Sequence, residues 1–352
     1  MSVEKNTKTK LLSKAGKYII IGVAFAFVIA GFRAYQLYQY IFRENVKTEF
    51  VLYIPENATF EQVTDSLEKN DVLQSLKAFK WVSNKKEYPG NIKTGRYLLK
   101  KGMNTNQIVN MLKGGLQTPL DVTFNNVRTP QDLAGKVSKY LIADSLSILS
   151  LFSDSAIVKK YGFEAETFRT MFLPNTYEFY WTTSANEFAD RMKSEYDKFW
   201  NSARRKKADE LKLTLPEVTI LASIVKAETA KREESPRIAG LYINRLRSGQ
   251  PLQADPTVKY AVGDFTLKRI LFKHLEIESP YNTYKYAGLP PGPINFPETS
   301  YIDAVLDYER HNYLYMCAKE DFSGYHNFAV THAEHSRNAA KYHRELDRLN
   351  IK

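Results

Sequence analysis

The sequence predicts an α+β protein: one N-terminal apolar helix, a small α+β module, then a larger α+β domain. Three observations predict it. Residues 18–32 form an uncharged apolar run behind a lysine-rich tail. Beyond the run, short segments rich in branched and aromatic residues alternate with amphipathic segments that open on Thr, Ser or Asp, the pattern of strands and capped helices in succession. A chain of 352 residues with 43% hydrophobic and 13% aromatic content can bury two separate cores.

The run from Tyr18 to Phe32 is short of the roughly 20 residues that a bilayer span needs. Arg33 can snorkel, and Tyr35, Leu37, Tyr38, Tyr40, Ile41 and Phe42 extend the run with interfacial aromatics. An anchor over 18–42 follows. Lys5, Lys8, Lys10, Lys14 and Lys17 stand before it against a single Glu4. That bias predicts a cytoplasmic tail at 1–17 and the rest of the chain outside. The rival is a cleaved signal peptide, which the Phe-Arg-Ala-Tyr-Gln end of the run suits poorly.

Net charge is +11, of which the tail carries +4 and the remaining chain +7. A spread charge of this kind suits any polyanionic surface. No Arg/Lys run with interleaved aromatics appears, so a nucleic-acid partner rests on charge alone and is not expected. Cys317 is the single cysteine, so no disulfide within the chain is possible.

Residues 48–116 read as the small module. Phe50 to Pro55 is strand-like; Thr59 caps a helix with Phe60, Val63 and Leu67 on one face; Gly95 to Leu99 is a second strand; Thr105 caps a helix with Ile108, Met111 and Leu112 inside. Strand–helix–helix–strand modules of this size bind wall polysaccharide in LysM domains, and this one resembles a LysM-like domain. A plain spacer is the alternative. Leu120 to Phe124 opens another strand and Thr129-Pro130 another helix. Phe172 to Phe179 is a compact aromatic segment holding Glu178, a second candidate acid whose ordinary role is a solvated strand residue.

The most informative stretch is Leu221 to Ala230. Thr214 with Glu217 makes a capping box, and Leu221, Ile224 and Val225 define a buried helical stripe. Glu228 continues that stripe, seven residues after Leu221 and four after Ile224. A carboxylate on a desolvated face shifts toward its protonated form and can donate a proton near neutral pH. The alternative is an edge position, or pairing with Lys226, Lys231 or Arg232.

Ser235-Pro236 reads as a cap followed by proline at the first helical turn, with Ile238, Leu241, Tyr242 and Leu246 inward. Asp255-Pro256 reads as a second such start. Tyr281 to Tyr284 and Gly288 to Pro293 are stiff aromatic loops, suited to bonding and stacking a sugar ring. Tyr313 to Ala318 and His326 to Val330 form a hairpin around Asp321 to Gly324, and Thr331 with Glu334 makes a further capping box. His326, His332, Glu334 and His335 lie close in sequence, but HAEH lacks the i,i+4 spacing of a zinc helix, so no metal is expected.

Residues from about 221 to 342 resemble the endolytic murein transglycosylases, the MltG or YceG-like family. The resemblance lies in SIVKAET (223–229), YINRL (242–246), LQADPTV (252–258), YNTY (281–284), GLPPGPI (288–294), YLY (313–315), His326-x-Phe328 and Glu334-His335. The anchor, the module and FLPNTYEF (172–179) follow the same plan. Lys226 departs from it, standing where some members carry a second acid.

The resemblance implies a catalytic domain over 117–352 with Glu228 as the catalytic acid. Gln253, Asp255, Asn282 and Tyr284 become candidates for holding the sugar, and His326 for polarising Glu228 or binding the peptide stem; a hydrogen-bonded strand histidine is the ordinary alternative. The implied activity is lytic cleavage of the muramic acid–glucosamine bond of nascent peptidoglycan, leaving 1,6-anhydro ends, limiting strand growth and needing no cofactor. The implied location is the bacterial cytoplasmic (inner) membrane, single-pass, with the catalytic domain outside, periplasmic in a Gram-negative cell. Cell-wall synthases are the implied partners. A catalytically inert wall-binding scaffold is the competing reading.

Overall fold

The structure, a computed structural model, describes residues 3–267 and 269–349, with side chains from residue 16 onward. Lys5, Lys8, Lys10 and Lys14 of the expected tail therefore lie outside the described side chains. The chain forms two compact units, Met1–Pro119 with Tyr180–Thr182, and Leu120–Phe179 with Thr183–Lys352.

The first unit opens with one continuous helix, α1 (Val3–Phe42). Within it Gly16–Phe42 is apolar, with mean hydropathy 1.9, and is exposed along most of its length. Its 27 residues make about 40 Å at the helical rise. A hydrocarbon core is about 30 Å thick. There follow β1 (Phe50–Ile54), α2 (Phe60–Lys69), α3 (Leu76–Lys85), β2 (Gly95–Leu99) and α4 (Thr105–Gly114). β1 and β2 pair antiparallel, with Leu52 opposite Tyr97. Their inward residues Leu52, Ile54, Tyr97 and Leu99 join Val63, Leu67, Phe79, Val82, Ile108 and Leu112 in one core.

Thr59 and Gln62 close a reciprocal capping box on α2. The cap of α4 is Asn104 in place of the expected Thr105. Asn104 exchanges bonds with Gln107, while the buried Thr105 hydroxyl accepts from the Asn45 amide. α3 has no counterpart in the sequence reading.

The second unit runs β3 (Leu120–Phe124), α5 (Pro130–Val137), α6 (Ser145–Ser150), α7 (Ser155–Lys160), β4 (Asn175–Phe179), α8 (Ala185–Phe199), α9 (Ser202–Leu211) and α10 (Leu215–Glu228). It continues with α11 (Ser235–Arg247), α12 (Asp255–Val262), α13 (Phe272–Leu275), α14 (Thr299–Leu306), β5 (Tyr315–Ala318), β6 (His326–Ala329) and α15 (His332–Arg348). β3 pairs antiparallel with β4, and β5 with β6 as the expected hairpin. Phe124, Phe168, Phe172, Phe188 and Trp200 anchor the core, which surrounds α10. The architecture is thus mixed helix and sheet, with three two-stranded sheets among the described residues.

Two expected helix starts of this unit shift by one residue, and one expected capping box is incomplete. Glu234 is the N-cap of α11, so Ser235 is already helical, and its hydroxyl is buried without a partner. Ala254 precedes α12 and Asp255 is its first residue, so Asp255 has no capping role. Thr331 caps α15, but Glu334 turns its carboxylate to the Val330 N–H, so the box is one-sided. Glu178 is exposed in β4, opposite Asp121, as a solvated strand residue would be.

Candidate active site

α10 carries the site, and its burial begins with its own residues. Thr214 and Glu217 close the predicted capping box. Every side chain from Val218 to Val225 is then buried, so the helix has no wet face along that stretch. A second segment clamps it. Ser223 Oγ accepts the Ile294 N–H at 3.0 Å, and the Asn295 amide donates to Ser223 O at 2.7 Å. Ile294 and Asn295, at the end of the Gly288 to Ile294 turn, therefore hold the helix. Gly292 is required there, because a Cβ would sit 2.3 Å from the Glu166 carbonyl.

Glu228 is the last residue of α10, and Thr229 leaves the helix in an extended conformation. Burial is the largest influence on the Glu228 carboxyl and pushes its pKa from an ordinary 4.5 up to about 7. Three neighbours modify that. Tyr242 donates its hydroxyl to Oε1 at 2.5 Å and lowers the value; the Asp255 charge raises it; the Arg245 charge lowers it. Burial and the Glu228 charge hold the Tyr242 hydroxyl well above its usual range, so it remains a donor.

The expected alternative partners are elsewhere. Lys226 pairs with Glu298 at 2.8 Å and donates to Phe296 O at 2.9 Å. Residues two apart on a helix do not share a face. Lys231 lies 5.0 Å from the Tyr325 ring.

Glu228 faces a cleft of about 1870 Å³ within the second unit, larger than the roughly 300–1,000 Å³ of a small-molecule pocket. Its lining includes Arg128, Lys136 and Lys139 from the segment around α5, and Asp255, Lys259 and Tyr260 of α12. The remaining lining includes Arg269, Asn295, Tyr342 and Asp347.

The other candidate residues separate into two groups. Asp255 lines the cleft beside Glu228, and its carboxylate accepts the Tyr284 hydroxyl at 2.6 Å. Tyr284 acts electrostatically on Tyr242 and Arg245, so it belongs to the same cluster. Gln253, with positive φ, accepts from Arg245 Nη1 at 3.3 Å.

Asn282 stands apart, fully buried. Its amide donates to Leu275 O at 2.8 Å and Ile277 O at 3.0 Å, while its oxygen accepts the Tyr284 N–H at 3.1 Å. Its polar atoms are committed to shaping the loop, which corrects the expectation that it presents them to a sugar. His326 likewise faces Glu234 instead of Glu228: Nδ1 lies 2.8 Å from Glu234 Oε2, and the His326 N–H donates to Oε1 at 2.9 Å.

Two members of this cluster, and the Glu234 partner of His326, have no clear mark in the sequence. Tyr242 was assigned to the apolar inner face, although a buried tyrosine in a core stripe signals a hydroxyl partner. Arg245 is buried with its guanidinium on Leu314 O, Leu252 O and Gln253. Glu234 sits in a Lys-Arg-Glu-Glu turn whose composition reads as solvated, yet it is 6% exposed. Among the described residues no three His, Cys, Asp or Glu side chains are grouped to hold a metal.

Comparison with known proteins gives concordant matches. The YceG-like family model matches residues 52–341. The chain is 28% identical over 311 residues to the endolytic murein transglycosylase of Bacillus subtilis (strain 168), covering 84% of this chain and 85% of that protein. It is 27% identical over 337 residues to the endolytic murein transglycosylase of Streptococcus pneumoniae, covering 85% of this chain and 59% of that longer protein. The crystal structure of a YceG-like protein from Listeria monocytogenes matches with a TM-score of 0.56 at 27% identity, covering 82% of this chain and 98% of that one.

Proposed function

The chain belongs to the YceG-like family, and from that premise we propose that it is a membrane-anchored endolytic murein transglycosylase with Glu228 as its catalytic acid and base. The observation that carries this reading is a half-buried carboxyl with pKa raised to about 7, opening on a polymer-sized cleft. Two relatives named endolytic murein transglycosylase support the substrate class.

The mechanism follows from a single carboxyl. Glycoside cleavage ordinarily uses two, one as acid and one as nucleophile or base. Here protonated Glu228 gives its proton to the glycosidic oxygen between muramic acid and glucosamine. The sugar's own C6 hydroxyl attacks C1, and the Glu228 carboxylate takes the hydroxyl proton. One C–O bond forms as another breaks, no water is consumed, and the product end is a 1,6-anhydro sugar. The tethered nucleophile supplies the effective molarity that an activated water would otherwise need. A pKa near 7 suits a group that must both donate and accept. In this reading Asp255, held by Tyr284, orients the sugar from the cleft lining, with Gln253, held by Arg245, as a further candidate; Asn282 shapes the loop behind them, and His326 with Glu234 steadies the turn after Thr229.

The finer parts of the reading rest on other observations. An apolar exposed helix at Gly16–Phe42 supports a single-pass anchor with residues 48 onward outside the cytoplasmic membrane. The order β1–α2–α3–β2, with β1 and β2 antiparallel, supports a LysM-like module over 48–116. We assign 117–352 as the catalytic domain, acting on nascent strands beside the synthases that make them. The test is incubation of the full chain with purified uncrosslinked peptidoglycan strands, followed by mass spectrometry. Anhydro ends from wild type and none from Glu228→Gln are expected. Reducing ends would make the enzyme a hydrolase, and binding without products would make it a scaffold.

A further inference from the structure

α3 presents an unusual face at the outer end of the anchor. From Ser75 to Lys86 the chain has no acidic residue and four lysines. The inner side of α3 is buried through Ala78, Phe79 and Val82. Its outer side carries Lys77, Trp81 and Lys85 at successive four-residue steps, with Lys80 beside them. Lys77, Lys80 and Lys85 are exposed, and among the described residues none has an ion-pair partner. Lys85 lies 6.0 Å from the Trp81 ring.

The height of this face is set by α1. Tyr40 packs edge-on against Trp81 with ring centroids 6.2 Å apart. Counted from Gly16, Tyr40 stands about 36 Å along the apolar segment at the helical rise, beyond a hydrocarbon core of about 30 Å. That depth is the headgroup layer, where Trp and Tyr are enriched. Exposed Tyr35 and Tyr38 on α1 continue the same aromatic band.

We infer that the Lys77–Lys80–Trp81–Lys85 face of α3 is a second membrane contact that binds anionic phospholipid headgroups. The inference rests on α1 spanning the bilayer. Trp81 supplies the amphipathic ring at the interface, and the three free ammonium groups supply the charge. Docking through this face holds the small module flat on the membrane and fixes where the rest of the chain emerges.

The test uses the full chain in lipid nanodiscs of pure phosphatidylcholine and of a phosphatidylcholine–phosphatidylglycerol mixture. An uncharged amine-acylating reagent is applied, and mass spectrometry reads the labelling rate of each lysine. In anionic discs Lys77, Lys80 and Lys85 should label about fivefold more slowly than in neutral discs. High salt should restore the rate. Lys80→Glu should speed the labelling of Lys85, five residues away, in anionic discs. Equal labelling in both discs, with the chain inserted, overturns the inference and leaves the anchor standing. Failure to insert into either disc overturns the anchor and the inference together.

Discussion

Glu228 and Glu234 lie six residues apart in one chain, and both are withdrawn from bulk water, yet their surroundings are opposite. Glu234 has donors on both oxygens: the His326 N–H and imidazole, at 2.9 and 2.8 Å, and the Thr229 hydroxyl at 3.4 Å. Glu228 has one neutral donor, Tyr242, and opens on the cleft. A buried carboxyl rich in donors ties a turn together. One that is desolvated with a single donor is left with its proton near neutral pH. Glu234 is the more deeply buried of the two, so what sets Glu228 apart is its hydrogen-bond complement.

The largest effect that sharpens this contrast is Glu228→Gln. The change keeps shape and removes the proton, so kcat should fall by roughly 10²–10⁴-fold. Product release from purified glycan, with the circular dichroism spectrum unchanged, checks it.

The same variant has a stability signature. Folding raises the Glu228 pKa from 4.5 to about 7, so the folded state binds that proton more tightly than the unfolded state. The group adds nothing unfavourable below about pH 4.5, destabilises increasingly as pH rises toward 7, and levels off above it. Glu228→Gln should therefore be more stable than wild type by roughly 3 kcal/mol near pH 8 and equal to it near pH 4. Urea unfolding at the two pH values reads this. A variant less stable at both would place Glu228 with Glu234 as a structural acid.

Glu234→Ala should do the reverse. It leaves the His326 N–H and imidazole without their acceptor and should cost about 1–3 kcal/mol in the same unfolding experiment. The alkaline limb of the pH–rate profile should keep its midpoint.

Smaller effects come from the neighbours of Glu228. The Tyr242 bond favours the ionised form, so Tyr242→Phe should move the alkaline limb above about pH 7. The Asp255 charge opposes ionisation, so Asp255→Asn should move that limb the other way, and by less. A shift of both variants in the same direction would break the electrostatic account of the site.

These contrasts also mark what the sequence made legible. The stripe of Leu221, Ile224 and Val225 located α10 and pointed to Glu228, although the helix is buried on all sides from Val218 to Val225 and the stripe is only part of that dry surface. The caps at Thr59 and Thr214 marked helix starts correctly, because that chemistry is local. Asp255-Pro256 misled for the same reason: a local rule assigned Asp255 to a cap, while a tyrosine 29 residues away claims its carboxylate. Pairs distant in sequence, such as Glu234 with His326 or Lys226 with Glu298, leave no local trace. The clamp that Ile294 and Asn295 place on α10 is likewise invisible in sequence, where the proline turn at 288–294 shows its stiffness but not its burial.

The most direct test is infrared difference spectroscopy of wild type against Glu228→Gln across a pH titration. The account predicts a protonated carboxyl band present in wild type and absent from the variant, disappearing with a midpoint near pH 7. A midpoint in the ordinary carboxylate range near 4.5 would contradict it.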